Sequence, residues 1–311
     1  MENFNKTKGF IPGVPHHIYF RSFDRGLIFY TSSDYLVYFT FITTVARHYG
    51  VTLMELSIMP DHVLAFARSR KSMDMKLFLF QTERRFAMEY NSAIGRTGRL
   101  FETSPGHAPK LNDKKIRTSV AYLFNNQVEK KIVSRAELTR WNFMAFAVSD
   151  HPFSEPIRLE FASRTLRRAM KLVKYFRSQD KPLGYMTLLS LYSNLSQTEK
   201  EQLTDYIIAT YNCLDYDSII RYYGSYEKML TAVNSNTGSE FDIIESFDTS
   251  SDALFFRMAE VVSKINGLED VKKVMTLSPD RKVKLANKLI QIPGVTSRHI
   301  SKYLHMSIAD R

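Results

Sequence analysis

His62 opens a β-prone run, residues 62–68, directly after the turn residues Met59, Pro60 and Asp61. Side chains alternate along a strand, so His62 and Leu64 share one face. Tyr122 and Asn126 lie four apart in a helical run, residues 113–131, and share a helix face. A strand histidine beneath a helix that carries a tyrosine and an amide can cut a nucleic-acid strand. The histidine and the amide would hold a divalent metal, which would polarise a scissile phosphate. The tyrosine hydroxyl would attack it and form a covalent phosphotyrosine. The same residue types also serve structure: a histidine at a strand start is often a satisfied structural residue, and a helical tyrosine is often packing. Spacing alone leaves both readings open.

The elements that must position these residues read as mixed α/β. A short strand runs over 17–21, with His16 and His17 at its head. A helix follows over 34–49, with Tyr38, Phe41, Ile42, Val45 and Tyr49 as its apolar face and Gly50 as its stop. Two strands, 51–58 and 62–68, are joined through Met59, Pro60 and Asp61. A helix over 75–90 exposes Arg84 and Arg85. Residues 93–110, with three glycines and two prolines, read as a loop before the helix that carries Tyr122. This order suits a compact sheet with helices packed on it.

Beyond residue 150 the pattern is helical. Helices are expected over 163–178, 183–192, 197–211 and 218–233. Residues 234–252 are turn-rich and then acidic, and read as a linker; residues 253–311 return to helix. The chain therefore divides into 1–150, a helical connector 151–240, and a C-terminal helical part 241–311.

Charge is uneven. The whole chain carries a formal +11. Between Arg68 and Arg117 there are 12 Lys or Arg against 5 Asp or Glu, a net of +7. Arg68, Arg70, Lys71, Arg84, Arg85, Arg96, Arg99, Lys114, Lys115 and Arg117 belong to this stretch, with Phe80, Phe86, Tyr90 and Phe101 interleaved. Cations neutralise phosphates, and aromatic faces can stack unpaired bases. A second basic run, Arg164, Arg167, Arg168, Lys171, Lys174 and Arg177, reads equally as a backbone-tracking helix or as a solvated face over a buried Leu166, Met170 and Val173 stripe.

Composition narrows the classes. Hydrophobic residues make up 44% of the 311, enough for real cores and against global disorder. The single cysteine, Cys213, excludes an intrachain disulfide and a cysteine-based zinc site. It is expected as a small buried apolar residue. No run approaches a membrane span, so the expectation is a soluble cytoplasmic protein without a membrane partner.

Several segments together resemble the REP-associated tyrosine transposases and their insertion-sequence relatives, the single-tyrosine HUH transposases. His17 to Arg21 followed by Gly26-Leu27-Ile28-Phe29 looks like their opening strand, and Asp34 onward like their first helix. Ile58 to Val63 looks like the Met-Pro-Asn-His-Val-His segment. Tyr90-Asn91 with Arg96 to Phe101 looks like the Asn…Arg-x-Gly-x-Leu-Phe segment. Tyr122 to Val128 looks like Tyr-Ile-x-x-Asn-Pro-Val, and Trp141 onward like the close of the domain. The resemblance runs from about His16 to Phe143, and its order and spacing are more specific than any one piece.

This resemblance implies an α+β fold: a ferredoxin-like HUH transposase domain, often a homodimer, followed by an all-α region. It implies Mg²⁺- or Mn²⁺-dependent nicking of single-stranded or hairpin DNA, with Tyr122 the nucleophile and His62 and Asn126 metal ligands. One departure is serious. The second histidine of the pair is Leu64, which cannot bind a metal, and Mg²⁺ already relies on few protein groups. His107 is the candidate substitute. Gln127 also replaces the family's proline, a milder change.

Near the C-terminus a helix is expected over 282–292, a turn at Pro293-Gly294-Val295, and a helix over 296–304 capped by Thr296. Thr296 to Ser307 resembles a helix-turn-helix segment, with Ile300 and Leu304 as its buried positions and Arg298 as a DNA contact. His305 stands where glycine is usual. Three functions remain in view: an active nickase, a domesticated DNA-binding regulator without chemistry, and an RNA-binding protein on the same scaffold.

Overall fold

β1 (His16–Arg21), β2 (Thr52–Ile58) and β3 (His62–Arg68) bury nearly every side chain, so both faces of their sheet must be covered. A computed structural model describes residues 9–102, 105–235 and 251–306. The strands run in the order β2-β3-β1-β4, with β4 (Gly106–Pro109) at one edge, and every pairing is antiparallel. α1 (Ser32–His48) connects β1 to β2, and α2 (Ser72–Ile94) lies between β3 and β4. This is the βαββαβ, ferredoxin-like order, and the helices after it make the chain α+β.

β4 corrects the loop reading of 93–110. Gly106-His107-Ala108-Pro109 has no apolar alternation to announce a strand, and its proline is tolerated because the strand is an edge. α2 also runs past its expected end to Ile94, where Gly95 takes a left-handed φ of 66° and stops it.

Register decides what faces what. Tyr19 pairs with Leu64, His17 with Phe66, and Arg21 with His62. Ile18, Phe20, Val63, Ala65 and Ala67 point to the face packed by α1 and α2. Leu64 and Phe66 point the other way, into a cluster with Val120 and Leu123 of α3 (Asp113–Glu129).

The later helices add outer layers. α4 (Arg164–Ser178), α5 (Tyr185–Tyr192) and α6 (Gln197–Tyr211) contribute Leu166, Leu188, Leu203 and Ile207 to the core beneath α1 and α2. α7 (Tyr216–Arg221) and α8 (Tyr226–Asn234) contribute Ile219, Met229 and Val233 to the α3 cluster. One helix was expected over 218–233. Two form, because Gly224 turns the chain at φ 89° and the Ser225 side chain caps α8. Cys213 is half-buried, and burial raises its thiol.

α9 (Ala253–Ser263), α10 (Pro279–Leu289) and α11 (Ser297–Leu304) form a third cluster, which takes in Leu27 and Tyr30 from the loop after β1. α10 starts at Pro279, earlier than expected, because proline suits the first helical position. Thr296 caps α11 as expected. Most of the expected linker lies outside the described residues. Its last residue, Asp252, is docked: its amide donates to the Lys130 carbonyl at 3.0 Å. Among the described residues no helix is long and apolar enough to cross a membrane.

Candidate nucleic-acid interface and the His62 site

His62 begins β3 and is buried. Its Nδ1 lies 2.7 Å from Asp61 Oδ1, and Asp61 Oδ2 accepts from Lys302 Nζ of α11, also at 2.7 Å. Burial alone would raise the Asp61 carboxyl. His62 and Lys302 more than offset that and hold it below the usual carboxylate range. The nearby Asp252 carboxyl is pushed up to about 6 by burial, with Asp61's charge adding to the shift. The other ring nitrogen, His62 Nε2, is buried without a hydrogen-bond partner, and so is Asn126 Oδ1 on α3. The Tyr19 ring stands 5.2 Å from that of His62.

Leu64 is fully buried in the apolar cluster that includes Met54, Phe66 and the α3 residues. Tyr122 is also buried, at 4% exposure, and its ring meets that of His17 edge-on at 6.1 Å. His17 received no role from the sequence. Its position on this face follows from register with β3, which local patterning does not reveal. Burial, then the charge of Lys110 and the proximity of His62, pull its imidazole down to about 3, so it is neutral near pH 7. Glu55 of β2, beside Phe66, is buried with both carboxylate oxygens unpartnered, and burial pushes its carboxyl well up.

Of the expected metal ligands, His62 Nε2 and Asn126 Oδ1 are buried without a hydrogen-bond partner, and Leu64 stands at the third position. Among the described residues no three His, Cys, Asp or Glu gather as a metal site would require. Mg²⁺ and Mn²⁺ favour octahedral oxygen-rich shells, and Leu64 offers no donor. The residues present therefore do not fit the expected ion. His107 cannot replace the missing histidine. It pairs with Ile18, so its side chain belongs to the α1–α2 face, and its ring meets His16 at 5.5 Å.

The basic residues fall into distinct groups. β3 and β4 both leave the sheet at the end where His16 pairs with Ala67 and Pro109. Arg70 and Lys71, which follow β3, and Lys114, Lys115 and Arg117, in the first turns of α3, are all exposed. Residues 69–105 separate the two groups' strands in sequence, and the fold brings them to one end. Arg84 is exposed on α2, Arg85 is half-buried, and Arg298 is exposed on α11. Arg68 instead donates to Asp215 at 2.9 Å and to Ser218 at 3.2 Å. Arg96 braces its own loop through Asn91 Oδ1 at 2.9 Å and the Arg99 carbonyl at 2.7 Å. Arg99 lies over the Phe23 ring at 5.9 Å. Of the interleaved aromatics, Phe80 is exposed, whereas Phe86, Tyr90 and Phe101 pack in the core and are closed to bases.

The C-terminal helices clasp the His62 end of the sheet. His305 adopts a left-handed φ of 51°, as its glycine-like position demands. Its Nδ1 lies 2.6 Å from Asp24 Oδ2, and its Nε2 lies 2.8 Å from the Leu27 carbonyl and 3.0 Å from Tyr30 Oη. The Tyr30 hydroxyl donates to the Tyr303 carbonyl at 2.7 Å. Gly26 is required here, since a Cβ on it would come within 2.4 Å of His305 Nδ1. Ile300 and Leu304 are buried as expected. The helix that would follow the turn falls on 307–311, outside the described residues.

Neither a family model nor a curated protein matches this chain. Among solved structures it is similar to a REP-associated tyrosine transposase bound to a REP hairpin. That likeness has 14% identity and a TM-score of 0.37, and it covers 50% of this chain and 95% of the other. A score that low carries no weight about fold or activity.

Proposed function

We propose that this chain is a DNA-binding protein on a transposase-like scaffold that no longer nicks its DNA. The observation that carries the binding half is the convergence of Arg70, Lys71, Lys114, Lys115 and Arg117 at one end of the sheet, all exposed. Cations grouped this way neutralise successive phosphates of a strand. The sequence resemblance to single-tyrosine transposases supports single-stranded or hairpin DNA as the form bound.

Leu64 carries the other half. Nicking would need a metal beside the scissile phosphate, and the second ligand position is filled by a leucine buried among apolar side chains. Tyr122, Asn126 and His62 are each buried, which supports a site closed to a phosphate. His62 and Asn126 are then remnants that the Asp61–Lys302 contact and the α3 packing still hold in place.

The test uses labelled hairpin-bearing single strands from the DNA flanking the gene. Binding is followed by fluorescence anisotropy at 50 mM salt, and cleavage on a denaturing gel with Mg²⁺ or Mn²⁺. The expected result is binding unchanged by Tyr122→Phe and no covalent adduct. A slow-migrating, Tyr122-dependent adduct overturns the loss of chemistry. Failure to bind any DNA form overturns the reading as a whole.

A further inference from the structure

α4 presents a cationic face that the preceding reading does not use. Arg164, Arg167, Arg168, Lys171 and Lys174 are all exposed. At 100° per residue they fall within an arc of roughly 120°. Leu166, Ala169 and Val173 occupy the opposite side and are buried, at 1%, 4% and 0% exposure. No acidic residue lies between Phe161 and Gln179, and none of the five cations has an ion pair with a described residue. Tyr175, within the arc on its Arg168 side, is 57% exposed, and Phe161, just before the helix, is 79% exposed. Among the described residues, the ion pair of the helix is at its end, between Arg177 and Asp180.

Five like charges on one face repel one another, and a polyanion laid along them relieves that repulsion. The arc extends along about 15 Å of helix axis. Duplex DNA presents a phosphate charge every ~1.7 Å of its own axis, so several cations meet phosphates at once. An anionic membrane fits less well, because the apolar side that would have to insert is already buried in the core. α4 rests on α6, and α6 rests on α1, which covers the sheet face opposite α3. The α4 face and the α3 face therefore look away from each other.

We propose that α4 is a second DNA-contact surface, lying along the phosphate backbone of duplex DNA on the far side of the molecule from α3. This rests on the DNA-binding reading above, and extends it to a chain that holds two separate nucleic-acid segments. The first is the strand or hairpin at the α3 end; the second is a flanking duplex at α4.

The full chain and a variant with Arg164, Arg167, Arg168, Lys171 and Lys174 each changed to Gln would be titrated by anisotropy across a NaCl series. The probes are a 25-base-pair DNA duplex, its single strand, an RNA duplex, and phosphatidylserine vesicles. Circular dichroism confirms that the variant is folded, as its exposed positions predict. The expected result is a duplex-DNA salt slope shallower by about 4 in the variant, with single-strand affinity changed less than twofold. A duplex slope within one unit of wild type overturns the α4 surface and leaves the DNA-binding reading standing. A variant that loses only RNA-duplex or vesicle binding overturns it as well. Wild-type protein that binds neither form of DNA overturns both readings.

Discussion

His305→Gly opposes two rules against each other. Residue 305 is in the left-handed region, where glycine is favoured, so local backbone preference alone predicts that the substitution stabilises by about 1 kcal/mol. The imidazole, however, makes three contacts of 2.6, 2.8 and 3.0 Å to Asp24, the Leu27 carbonyl and Tyr30 Oη. Each is worth about 1 kcal/mol net, and leaving the buried Tyr30 and Leu27 groups short of a partner raises that cost. The Asp24 contact is discounted, since that carboxylate is 41% exposed. The contacts outweigh the relief of backbone strain, and the variant should be less stable by about 2 kcal/mol. The assay is urea unfolding followed by circular dichroism, with hydrogen exchange of the α11 amides reporting local undocking. His305→Asn, which tolerates the left-handed region and keeps some hydrogen bonding, should fall between the two. Gly26→Ala attacks the same contact from the other side, so its effect should not add to that of His305→Gly. A His305→Gly protein as stable as wild type, or more so, refutes the reasoning.

Asp252 should make stability fall with rising pH. Its folded-state carboxyl sits at about 6 against an ordinary 3.8, so the folded state holds a proton that the unfolded state has released. The loss accumulates between pH 4 and 6 and amounts to about 3 kcal/mol; Asp252→Asn should remove it, which urea unfolding of both proteins at pH 4.5 and 7 would show. Asp205 is fully buried against Arg140 Nε at 2.7 Å and the Phe153 amide at 2.9 Å. Asp205→Ala should cost about 2 kcal/mol, because the Phe153 amide loses its acceptor and Arg140 keeps only Glu201 as a carboxylate partner, and an unchanged urea midpoint would contradict this. Changing Lys114, Lys115 and Arg117 to Gln should make the single-strand salt slope shallower by about 2, and an unaltered slope would remove α3 from the interface.

The elements with strong periodicity were legible. β1, β3, α1 and α3 stand within two or three residues of where alternation and helical spacing put them, because each buries a regular stripe. β4 was not, since four residues containing glycine and proline carry no stripe. Missing that strand also hid its parity, which is why His107 could be taken for a neighbour of His62. At the candidate site, Leu64 was read directly from the motif. His17 and Glu55 were invisible, because only cross-strand register brings them under α3. The Asp61–Lys302 and Asp24–His305 contacts join residues 241 and 281 positions apart, beyond the reach of any local pattern.

Those two contacts have a consequence for synthesis. The sheet and α3 are complete once residue 129 has been made, yet the Leu27 and Tyr30 side chains belong to a cluster closed by Tyr303 and Leu304. At typical elongation rates the ribosome needs roughly ten to thirty seconds to add the intervening residues. Throughout that interval the Leu27–Tyr30 corner beside His62 lacks its cover. Chaperone occupancy on the newly made chain should therefore last until α11 docks, and fall once it has.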